Sequence, residues 1–276
     1  MSKDFSKLPT APPQPTVLPS EANQQPAVRS LAIRWNTWLG VLFVLVVFYV
    51  SQLLAGLLAS VYPWAQHWNS SRSATWLNNS VLAQFGFVLV AEATAVAAIL
   101  QFLKLYRVRI EAIGLRRPRW SDVGYGLLAV PVYYVLYLLS VTVISHFVPS
   151  LNVNQAQDIG FTHVQGFWQL GLTFLSLVVF PPLAEEIMVR GFLYSSLKKA
   201  IPIGGAVVLT SAIFAAAHLP EGGAVGPLYI AALDTFVLSL VLIYLREKTG
   251  GLWSSITLHA IKNGVAFVAL FILHVH

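Results

Sequence analysis

Seven apolar runs, each about as long as a bilayer is thick, restrict this chain to folds that lipid can solvate. They lie at about 37–61, 81–103, 123–148, 165–197, 203–219, 228–245 and 253–273. A helix of about 20 apolar residues crosses the hydrocarbon core. Backbone N–H and C=O groups in hydrocarbon must be satisfied within the segment, so each run is predicted to be helical. The fold class that follows is all-α, a polytopic transmembrane helix bundle of about seven spans. Composition agrees, with 57% hydrophobic and 10% charged residues against roughly 25% charged in soluble domains. The chain has no cysteine, which removes disulfides, thiolate zinc sites and a cysteine nucleophile.

The formal charge of +6 reads as membrane topology and not as a nucleic-acid footprint, because of where the cations fall. All Lys and Arg except Arg72, Arg190 and Lys262 lie in the N-terminal tail or after the second, fourth and sixth spans. The positive-inside bias then predicts a cytoplasmic N-terminus and an outer C-terminus. Trp64, Trp68, Trp76, Trp168 and Trp253 fall near span ends, as an interfacial aromatic belt requires. Residues 1–34 are expected to be a disordered, polar, proline-rich cytoplasmic tail, with no signal-peptide pattern. Residues 35–276 are expected to form the bundle.

Ionisable residues at membrane depth usually face the protein interior and mark function. Here they gather late in the chain. The fourth span reads PPLAEEIMVRG, with Glu185, Glu186 and Arg190. The fifth ends in FAAAH, with Phe214 and His218, and the seventh carries HAIKN, with His259, Lys262 and Asn263. Residues four apart share a helical face. Glu186 is therefore expected to pair with Arg190, leaving Glu185, about 100° around the axis, free to act elsewhere. His259 and Asn263 are expected to point the same way. A carboxylate and an imidazole on facing helices can share a water and take its proton. An imidazole N–H and a carboxamide N–H can steady the oxyanion of an attacked peptide carbonyl. Glu185, His218 and His259 are equally ordinary ligands for a divalent metal such as zinc. Glu92 and Asp234 are expected to be interior hydrogen-bonding residues. Lys262 is expected to lie off the motif face and to snorkel toward the interface.

Three ordered motifs in three apolar helices, EEIMVRG, FAAAH and HAIKN, resemble the CPBP family of CAAX proteases and bacteriocin-processing intramembrane proteases, also called the Abi family. The resemblance covers about residues 165–268, expected to be the catalytic core, and IGLRRP at 113–118 is also similar. Val189 departs from it, since many members carry phenylalanine before the arginine. The family implies a membrane-embedded endopeptidase of the CAAX prenyl protease 2 kind, whose eukaryotic members trim the last three residues of prenylated CAAX proteins. It implies water activation by Glu185 with His218, oxyanion stabilisation by His259 and Asn263, and support from Glu186 and Arg190. Members are usually labelled metalloproteases, and a metal-free glutamate mechanism has also been argued for them. Phe214 is a candidate substrate contact. The expected partners are the bilayer and a peptide or protein substrate within it, in a prokaryotic plasma membrane, with the cavity open to the cytoplasm. The competing expectation is a non-catalytic immunity or scaffold protein of the same fold.

One expectation strains against another. Counted from span ends, His259 is about 7 residues deep, Glu185 about 14 and His218 about 15, a spread near 10 Å at ~1.5 Å per residue. A shared site requires the fourth and fifth helices to project past the membrane surface.

Overall fold

The computed structural model describes residues 32–155, 157, 159–221 and 226–274. All but the last three residues of the expected tail lie outside the described residues. The helices are α1 (Thr37–Ala65), α2 (Ser70–Asn79), α3 (Val81–Leu105), α4 (Trp120–Phe147), α5 (Gly166–Lys198), α6 (Ile203–Glu221), α7 (Tyr229–Thr249) and α8 (Trp253–Ile272). All but α2 are long and apolar enough to cross a membrane. The all-α, polytopic bundle expected from hydropathy is therefore the fold found.

Helices α1, α2 and α3 start where short polar side chains satisfy the first unpaired N–H groups. Asn36 accepts from Trp38 N at 2.9 Å, Asn69 from Arg72 N at 2.8 Å, and Ser80 from Ala83 N at 3.2 Å. The α2 helix lacks an apolar run, so hydropathy does not reveal it. It carries Trp76 against Tyr62 and Trp68, and the Arg72 guanidinium sits 4.5 Å above the Trp68 ring. That cluster brings together Trp68 and Trp76, two of the five tryptophans expected near span ends.

Helix α5 is the axis, packing against α1, α3, α6, α7 and α8. One apolar core joins α1 and α3 to α5, through Val44, Ile99, Phe102, Phe192 and Leu193, with Trp35 stacked on Phe192 at 4.8 Å. A second joins α4, α7 and α8 through Tyr133, Leu238, Leu242 and Leu258. Large apolar side chains such as Leu42 and Leu53 of α1 and Leu128 and Leu138 of α4 point outward. An apolar exterior suits a lipid solvent.

Two features bear on the site. IGLRRP forms a joint: Arg116 makes a two-pronged ion pair with Asp122, at 2.6 and 2.8 Å, and donates to Thr249 O at 3.0 Å. Trp253 Nε1 donates back to Arg116 O at 2.5 Å. The start of α4 is thereby tied to the α7–α8 turn that aims His259. The second feature is that α5 is not one regular helix. It widens to π geometry at Leu175–Val179 and again at Glu186–Leu193, with Pro181 and Pro182 between. Such widened turns are rare and are frequent at functional sites.

Candidate active site

Glu186 and Arg190 meet as their spacing predicts. Arg190 Nη1 donates to Glu186 Oε1 at 2.8 Å, and both side chains are 0% exposed. The guanidinium carbon sits over the Phe214 ring, 4.2 Å from its centroid. His259 Nδ1 meets the same Glu186 Oε1 at 2.9 Å. A carboxylate can only accept, so Nδ1 carries the proton and Nε2 faces the other way. Glu186 thus sets the imidazole's orientation, as an outer-shell carboxylate does for many functional histidines. Phe214 is 5% exposed, with His218 on it at 4.8 Å and His259 at 6.3 Å. It also belongs to the apolar core and lines both cavities described below.

Glu185 turns away from this pair, into a cavity. Its Oε2 is buried, has no hydrogen-bond partner among the described residues, and lies 3.8 Å from His259 Nε2. The depth mismatch counted along the spans is therefore absent. His218 caps the regular part of α6, and its Nδ1 contacts Phe214 O at 2.8 Å. A carbonyl only accepts, so here too the proton sits on Nδ1, and Nε2 presents a lone pair.

Two cavities join at these residues. A polar chamber of about 290 Å³ is lined by Glu185, His218, His259 and Asn263. An apolar groove of about 390 Å³ runs between α1, α5 and α6, past Val44, Phe48, Met188 and Ile213. Glu92, Glu185, Phe214, His218 and Glu221 line both.

Asn263 is held by a device that begins with proline. Pro181 and Pro182 lack N–H groups. The Leu177 carbonyl therefore has neither the i+4 donor of an α turn nor the i+5 donor of a π turn. Asn263 Nδ2 supplies the missing hydrogen bond at 2.9 Å. One amide N–H is thereby fixed, and the second remains on a side chain that lines the chamber. The His259–Asn263 face predicted from spacing is realised, with one donor of each residue committed to α5.

Lys262 departs from expectation. It does not snorkel outward, since its Nζ pairs with Asp234 Oδ2 of α7 at 3.0 Å and it lines the chamber. Three residues after His259 puts it only about 60° from that residue around the helix, close enough to flank the motif face. Asp234 also accepts from the Tyr133 hydroxyl of α4, which bears out its interior hydrogen-bonding role. Glu92 instead lies on the cavity walls. Glu221 was overlooked by motif reading, although it follows His218 by three residues and its Oε1 lies 3.8 Å from His218 Nε2.

A metal held by Glu185, His218 and His259 would need the three donors to converge. Among the described residues no three His, Asp or Glu side chains form such a set. The arrangement does not fit a three-donor centre.

The family comparison covers the helices that build this cavity. Residues 167–265 match the family described as Rce1-like, type II CAAX prenyl endopeptidase. Comparisons with curated proteins and with solved structures each gave no match. The matched stretch carries all three motifs, and over it the chain is similar to the Rce1-like type II CAAX prenyl endopeptidases.

Proposed function

We propose that this chain hydrolyses peptide bonds of membrane-associated peptides or proteins, using a water activated by Glu185 and His218. The observation that carries the reading is the unpartnered, buried Glu185 Oε2 in a polar chamber, 3.8 Å from an oriented imidazole. In the proposed reaction, water loses a proton to Glu185 while His218 Nε2 holds it by its lone pair. The water oxygen bonds to the carbonyl carbon. The free N–H of Asn263, with His259 when its Nε2 is protonated, receives the oxyanion. The C–N bond then breaks, and Glu185 returns the proton to the leaving amine. Glu186 and Arg190 position His259, and Phe214 is a positioning residue beneath both imidazoles. The apolar groove receives the substrate's lipid or apolar segment, which brings the scissile bond to the chamber. The chamber opens toward the cytoplasm of a plasma membrane, following the basic loops.

The test is purified protein in liposomes, offered peptides that end in a prenylated cysteine and three further residues, with products read by mass spectrometry. Cleavage after the prenylated cysteine, undiminished by a strong metal chelator, is the expected result. A folded protein that cuts neither these nor unprenylated apolar peptides would contradict the reading. Loss of activity on chelation, restored by zinc, would contradict the metal-free mechanism alone.

The proline device gives a second expectation. Asn263→Ala is expected to lower turnover about 10²-fold, the cost of one oxyanion donor. Pro181→Ala with Pro182→Ala returns internal donors to Leu177 O and releases the Asn263 amide, lowering turnover about tenfold. Adding Asn263→Ala to that variant should cost less than it does alone, because the two changes act on one group. Fully additive losses would show that the prolines do not position Asn263.

A further inference from the structure

The polar chamber has a thin wall. Gln157, Ile159 and Phe161, between α4 and α5, line the chamber and also an outer pocket of about 620 Å³. Leu170 of α5 and Leu270 of α8 line that pocket as well. It lies at the bundle end away from the basic loops, because the α4–α5 connection follows the third span and Leu270 closes the seventh. Residues shared by two cavities make a partition one side chain thick.

Phe161 is the weak point of that partition. It is 4% exposed, yet it borders open volume on both sides, whereas protein interiors are close-packed with few voids. Its φ is 57°, after 69° at Gly160, and bulky residues seldom take that left-handed conformation. One side chain holds its backbone. Phe161 N donates to Gln84 Oε1 of α3 at 2.7 Å. Gln84 Nε2 donates in turn to Asn78 O at 2.6 Å and Leu77 O at 3.1 Å, in the last turn of α2. Helix α2 is not one of the spans, and here it anchors the glutamine that fixes Phe161. Gln157 is tied separately, donating to Glu221 Oε2 at 2.6 Å. The movable part is therefore Phe161, which can swing into either cavity without disturbing a span.

We propose that Phe161 is a gate that admits water and small polar solutes from the outer pocket to the chamber, with Gln84 as its latch. It faces the end opposite the cytoplasmic mouth proposed above. The gate rests on geometry alone and holds whether or not the chamber cleaves peptides. For the proposed hydrolysis it supplies a water route that avoids the apolar groove.

The native chain has no cysteine, so Ala231→Cys places a single thiol on the chamber wall, outside the groove. The full chain is reconstituted in oriented vesicles and treated with a membrane-impermeant cationic methanethiosulfonate. Lys248→Cys, made separately, marks the basic-loop face. Labelling of Ala231→Cys is expected from the opposite face. Phe161→Ala and Gln84→Ala should each speed it about tenfold by raising the population of the open state. Leu270→Trp, which fills the outer pocket, should slow it about tenfold by the same population arithmetic. Ile213→Trp, in the groove, should leave it unchanged. Misfolding would speed labelling, so slowing by Leu270→Trp is the arm that misfolding cannot mimic. A labelling rate indifferent to both Phe161→Ala and Leu270→Trp would overturn the gate. So would labelling confined to the face that Lys248→Cys marks.

Discussion

Glu185→Gln is expected to lower peptide cleavage by about 10²–10⁴-fold, the scale of a lost general base, with thermal stability in detergent nearly unchanged. The two side chains have the same shape, but an amide cannot accept the proton that water must lose. Little stability is at stake, because Glu185 Oε2 has no hydrogen-bond partner to forfeit. His218→Gln should fall less far, since it leaves the carboxylate in place. If Glu185→Gln retained wild-type rates, the proton would be going elsewhere, and the chamber's chemistry would need a different base.

Arg190→Met is expected to destabilise the fold by about 3–5 kcal/mol, the cost of orphaning one member of a buried ion pair. Three losses coincide. Glu186 Oε1 loses its 2.8 Å donor, the face of Phe214 loses a cation at 4.2 Å, and His259 keeps a carboxylate partner that is no longer neutralised. Glu186→Gln combined with Arg190→Met removes both charges, and it should recover part of the stability while staying poorly active, because Glu186 no longer orients His259. Unfolding midpoints in detergent distinguish these outcomes. A wild-type midpoint for Arg190→Met would show that the buried pair contributes nothing to the fold. The contrast with Glu185→Gln separates the roles proposed for the two adjacent glutamates, one toward substrate and the other toward structure.

Legibility in the sequence followed the reach of each interaction. The spans could be read because apolar length is a local property, and Glu186–Arg190 because a four-residue spacing fixes a helical face. The joining of Phe214 to Arg190 depends on how α6 crosses α5, which no spacing encodes. The partner of Lys262 is Asp234, on a different helix, so counting along α8 alone sends the lysine outward. The bond from Asn263 to Leu177 O was half legible. Two prolines in succession announce free carbonyls one turn before them, but not the side chain that takes one. The α2 helix escaped because its stability comes from capping and aromatic contacts at the end of the bundle, not from an apolar run. Glu221 escaped because it closes a helix, where a charged residue looks like an ordinary end signal.

The proposed reaction makes Glu185 the base that drives hydrolysis of a membrane-associated polypeptide. The deciding measurement is mass spectrometry of membranes from cells that make the wild type or Glu185→Gln at equal folded levels. At least one membrane-associated polypeptide with a newly formed C-terminus should be present with the wild type and absent with the variant. Identical sets of termini in the two membranes would show that Glu185 does not drive hydrolysis.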